Sequence, residues 1–177
     1  FTYSDDELQI MISDIELCAE LGFDGVVSGV LLNNFTLDVD RTHKLKLAAG
    51  SMHFTFHRAF DWVKNPKEAL LELERMRVNT ILSSGQQRSA PGGIDFLVDL
   101  KAQNTAIEIM PGSGVNAGNV QMFKEQGFKA VHLSGTAMKQ KLPSKPLISM
   151  NSEGFLSDDH IAVTQFENIE TVVSKVK

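Results

Sequence analysis

The stretch TFHRAFD, residues 55–61, ends an apolar, strand-like run in two side chains able to carry positive charge, His57 and Arg58, with Asp61 three residues further on. An imidazole titrates near neutrality, so His57 is a candidate acid, base or metal ligand. The competing reading makes it a hydrogen-bonded core histidine. Arg58 and Asp61 are spaced for an ion pair tying the loop, a reading that outweighs a catalytic one. If the strand runs on through these residues, His53, Thr55 and His57 share one face, and Phe54, Phe56 and Arg58 the other.

Glu108 lies inside AIEIM, where a carboxylate is costly unless paired or wet. It shares the face of Met110, expected to be the lumen of a barrel, and is the candidate partner of His57 in proton transfer. An anion site is expected in PGSGVNAGN (111–119) and HLSG (132–135), from Gly112, Ser113, Gly114, Ser134 and Gly135. Glycines let backbone amides approach a ligand, and a helix beginning near Ala117 would add its dipole. The plainer alternative is that these glycines only make tight turns.

His57 and His132 at neighbouring strand ends invite a metal hypothesis, but no HxH or CxxC cluster supports it. Cys18 falls on the core face of the first helix and the seven methionines are scattered, so a thiolate or thioether copper site from these residues alone is disfavoured. Ser83 and Ser84 lack the nucleophile-elbow pattern of a hydrolase.

The elements that must position these groups follow from periodicity. Ser4 and Glu7 form a capping box, Leu8, Met11, Ile12, Ile15 and Cys18 recur at helical spacing, and Gly22 supplies a stop, predicting a helix over 5–21. Short apolar runs then start near 24, 52, 80, 106 and 130, separated by amphipathic stretches at about 40–49, 66–77, 93–103 and 117–126. A polar segment from Thr136 to Ser157 precedes a last helix expected over 158–175. Regular repetition of this length signals parallel strands with helical crossovers. The expected fold is α/β, a (β/α)₈ TIM-barrel type with about five βα units visible, all in one domain spanning 1–177. A five-stranded open sheet is the alternative. A barrel typically takes about 250 residues. With the non-Met start at Phe1, this leads to the expectation that N-terminal strands lie outside the sequence.

Across 177 residues the net charge is −5, which argues against a nucleic-acid groove. No apolar run approaches the roughly 20 residues of a membrane span, and no secretory signal pattern is present. One cysteine cannot form an internal disulfide, which suits the cytoplasm.

Taken in order, YSDDE, DGVVSGVL, TFHRAFD, ILSSG followed by SAPGG, and IMPGSGV resemble the CutC copper homeostasis family from Phe1 to about Ser134. The resemblance implies a cytoplasmic (β/α)₈-type barrel, commonly a homo-oligomer, with copper as the ion it handles. It also implies an Arg-Pro-Arg-Gly-Gly stretch before the capping box and cysteine-bearing strands upstream, none of which this sequence contains. Where the family often carries Glu two residues before the last histidine, this chain has Ala130. Two functions are therefore weighed: copper binding, and a barrel enzyme or enzyme relic holding a small anionic metabolite.

Overall fold

A computed structural model describes residues 1–103, 105–150 and 157–177. The order is α1 (Asp5–Glu20), β1 (Gly25–Ser28), α2 (Val39–Ala48), β2 (His53–Phe56), α3 (Pro66–Arg75), β3 (Thr80–Ser83), α4 (Ile94–Lys101), β4 (Glu108–Pro111), α5 (Val120–Glu125), β5 (Thr136–Gln140), β6 (His160–Thr164) and α6 (Phe166–Val176). A 3₁₀ turn at Arg58–Trp62 follows β2, and another at Pro91–Gly93 precedes α4. The Ser4–Glu7 capping box opens α1 as predicted, with Ser4 Oγ accepting from the Glu7 amide and Glu7 Oε2 from the Ser4 amide. No helix among the described residues is long and apolar enough to cross a membrane.

Strands β1, β2, β3 and β4 pair in parallel and in sequence order. A doubly wound sheet would reverse that order at a switch point. The unbroken order is that of a singly wound barrel wall, so the fold is of the (β/α)₈ type, here an open arc. The fifth run joins it through one parallel bridge, Gly112 to His132. A Cβ on Gly112 would lie 2.4 Å from Leu82 Cδ1, so a larger residue there would require that side chain to shift.

One face of the arc packs under the helices. Phe54, Phe56 and Ile81 on that face are fully buried, against a layer that includes Leu45, Leu70, Leu73 and Leu97. Each such side chain contributes about 1.5–3 kcal/mol. The register places Val27, Thr55, Thr80 and Glu108 in one row on the opposite, inner face. There Val27, on the edge strand, is 61% exposed, while Thr55 and Thr80 are buried at 6% and 4%.

The structure corrects the C-terminal quarter. The polar segment from Thr136, to which the sequence assigns no element, begins as β5, which pairs antiparallel with β6. The helix expected over 158–175 is two elements, β6 and then α6, because the β-branched run HIAVT favours a strand before the amphipathic FENIETVVSKV begins. Residues 151–156 of that expected segment lie outside the described residues. The chain reaches this hairpin through Gly135, at φ +61°, where a Cβ would also lie 2.3 Å from Ile169 Cδ1.

Candidate functional site

The parallel strands end on one rim, and β2 stops one residue short of its histidine. His57 donates its amide to Ser28 O (3.2 Å) but then caps the 3₁₀ turn, its Nδ1 accepting from the Ala59 amide at 3.3 Å. The alternation expected of a strand running through His57 and Arg58 therefore holds as far as His57, itself extended, and breaks at Arg58, where the turn begins. The half-buried His57 ring meets Phe1 at 4.6 Å, tilted, and Phe56 edge-on at 5.8 Å. Burial of the imidazole lowers its pKa below the ordinary 6.5, favouring the neutral ring. With Nδ1 accepting, the hydrogen-bond network assigns the ring proton to Nε2.

Arg58 and Asp61 form the pair their spacing suggested, and much more. Asp61 takes Arg58 Nε–H at 2.8 Å, the Ser83 hydroxyl at 2.6 Å, the Ser84 amide at 3.0 Å and the Gln86 amide at 3.3 Å. Arg58 Nη2 donates to Ser84 Oγ at 2.8 Å, and that hydroxyl lies 2.5 Å from Gln87 O. The Asp61 side chain is 6% exposed. A carboxylate so enclosed by donors has no lone pair left for a reacting proton. These bonds tie the end of β2 to the turn after β3.

Glu108 lies on the inner face, as its sharing a face with Met110 suggested, but at the wrong end for His57. It opens β4 opposite Thr80, which itself lies opposite Thr55, two residues before His57 and two strands away. Two strand spacings are roughly 10 Å. Glu108 lines a cleft of about 500 Å³ at the strand starts, together with His53, Arg77, Asn79, Lys101 and Lys129. In that cleft His53 Nε2 lies 2.9 Å from Thr80 Oγ1. The expected His57–Glu108 proton-transfer pair is therefore not assembled.

The two glycine loops do meet, in a cleft of about 230 Å³ lined by Asn116, Gly118, Leu133, Ser134, Gly135 and Asn168 among others. Several of their polar groups, however, are turned inward. The Gly112 amide donates to Ser83 O, and Ser113, at φ +80°, donates its hydroxyl to Arg88 O. Gly114 O accepts from Asn116 Nδ2 and Asn119 Nδ2. The Asn116 and Gly118 amides are met by side chains, Asn119 Oδ1 and Asn116 Oδ1. α5 itself starts at Val120 rather than near Ala117 and is six residues long, so it has little dipole to offer. Ser134 Oγ lies 2.9 Å from Thr136 Oγ1, and Gly135 O accepts from the Gln165 amide and Asn168 Nδ2.

Among the described residues no three His, Cys, Asp or Glu side chains converge as a metal cage. Cys18 packs against the hydrophobic core, in the small-hydrophobe role expected of it. Sequence reasoning missed, among other pairs, the contact of Asp159 Oδ1 with His160 Nδ1 at 2.9 Å. The Ser157 hydroxyl and the His160 ring hold the Asp159 carboxyl down at about 2. The signal was the DDH run at 158–160, hidden because that stretch read as helix.

Comparison with known proteins matches residues 1–137 to the model of the CutC family. The "family protein CutC" of Salmonella typhimurium is 43% identical over 144 residues, covering 81% of this chain and 57% of the relative; that of Salmonella schwarzengrund matches equally. A crystal structure of the Streptococcus agalactiae protein assigned as copper homeostasis protein CutC superposes with a TM-score of 0.69 at 33% identity, over 74% of this chain and 65% of that one. The chain thus spans somewhat over half the length of the Salmonella relatives it matches.

Proposed function

Because this chain belongs to the CutC family, we propose that it serves copper homeostasis in the cytoplasm, with copper as cargo rather than as a fixed cofactor. The observation that carries the proposal is the match of residues 1–137 to that family.

His57 is the residue we assign to copper contact. Burial keeps its ring neutral, which lessens competition from protons. Ligation through Nε2 moves the ring proton to Nδ1 and gives up the bond from the Ala59 amide. At 3.3 Å that bond is long, and its loss costs at most about 1 kcal/mol. The resulting site is weak and exchangeable, as a buffer or carrier requires. Arg58 and Asp61 hold the turn that presents it. The anion-binding alternative draws less support, because Glu108 is remote from His57 and α5 is too short to offer much dipole.

The test is competition for Cu(I) against a chromophoric chelator. The chain is expected to retain copper, and His57→Gln to weaken retention roughly tenfold. Retention no stronger than that of an unrelated protein with five histidines would refute the proposal.

A further inference from the structure

The cleft of about 500 Å³ at the strand starts lies at the opposite end of the sheet from His57, and its volume is that of a small-ligand site. Two of the charged groups lining it are committed to the backbone. Glu74 Oε1 accepts from the Ala106 amide at 2.7 Å, and Lys101 Nζ donates to Gln126 O and Gly127 O, each at 2.7 Å. Three others are not. Arg77, Lys129 and Glu108 line the same cleft, yet none of them enters an ion pair, with one another or elsewhere, among the described residues. Two cations and one carboxylate thus border a shared space without neutralising each other.

The backbone at Arg77 adds a second observation. α3 ends in a Schellman turn, with the Arg77 amide donating to Glu74 O at 2.8 Å and the Val78 amide to Leu73 O at 3.0 Å. That turn holds Arg77 at φ +58°, a left-handed conformation that a Cβ disfavours. α1, α2 and α5 place glycine at the equivalent position: Gly22, Gly50 and Gly127, at φ +77°, +53° and +72°. At the end of α3 an arginine stands where glycine would sit without strain, and what it brings that glycine lacks is a guanidinium at the cleft. Strain retained at one point of a cavity wall is a pointer to function.

We propose that this cleft binds a small zwitterion carrying an excess of negative charge, an acidic α-amino acid. Arg77 and Lys129 take its two carboxylates, and Glu108 takes its ammonium group. A guanidinium can hold a carboxylate through two parallel N–H donors. Glu108 supplies the discrimination, since its carboxylate repels a simple dianion of the same size and attracts one that also bears an ammonium. The site stands apart from the copper reading, and either can fail without the other.

Isothermal titration calorimetry of the chain with L-aspartate and L-glutamate at low salt tests the proposal, with succinate and glutarate as matching dianions that lack the ammonium. Saturable binding of at least one amino acid is expected, weaker at high salt, with its matching dianion bound roughly tenfold less tightly. Glu108→Gln is expected to abolish that preference. Arg77→Gly is expected to weaken binding roughly tenfold while the melting temperature holds or rises, because glycine suits the turn. An arginine with only a structural role would not separate those two readouts. Lys129→Gln is expected to weaken binding without altering the preference. No saturable binding of either amino acid would overturn the proposal. So would affinity that Arg77→Gly leaves intact, or a dianion held by the unaltered chain as tightly as its amino acid.

Discussion

The two sides of the rim are built differently, although both follow parallel strands and both are rich in serine and glycine. Between β2 and β3 the organising group is a charge: Asp61, buried, with donors from Arg58, Ser83, Ser84 and Gln86 around it. Between β4 and the hairpin the organising groups are neutral backbone carbonyls, Gly114 O and Gly135 O, with asparagine side chains as donors. A single carboxylate concentrates the stability of its side in one residue. The carbonyl side spreads it over many modest bonds.

The sharpest way to break that contrast is Asp61→Ala. It strands several donors at once and should cost about 3–4 kcal/mol, read from urea denaturation. Should the loss stay below about 1 kcal/mol, the hub description is wrong. Asn119→Ala, on the neutral side, removes one bond to Gly114 O and one from the Asn116 amide, and should cost only about 1 kcal/mol. Equal losses from the two variants would erase the distinction between the sides. The smallest effect is a pH dependence from His57. Its folded pKa is lowered, so between that value and 6.5 the unfolded chain holds a proton the folded chain does not. Its contribution is therefore fully present above about 6.5 and fades as pH falls below it. His57→Gln should flatten thermal stability over that window. An unchanged slope would show that the ring is not desolvated.

How far such features could be read from residues depended on sequence distance. Five apolar runs at regular spacing were enough to indicate a parallel arc, because each run must bury one face under its own crossover helix. The Arg58–Asp61 pair was legible at a separation of three. Its partners Ser83 and Ser84 were not, since only the pairing of β2 with β3 brings them from more than twenty residues away. Glu108 was assigned the right face and the wrong end, because periodicity of two gives a side but not a height along the sheet. The hairpin was missed because HIAVT runs directly into FENIETVVSKV, and the boundary at Gln165 carries no glycine or proline.

At the base of the β5–β6 hairpin, the Gln165 amide donates to Gly135 O at 3.0 Å, and Thr164 Oγ1 to Ser134 O at 3.2 Å. The chain thus leaves the arc and returns to it at almost the same point. Residues 136–164 are in this sense a cassette. Excised, with Gly135 spliced to Gln165, the fifth strand run would lead straight into α6 as each earlier strand leads into its helix.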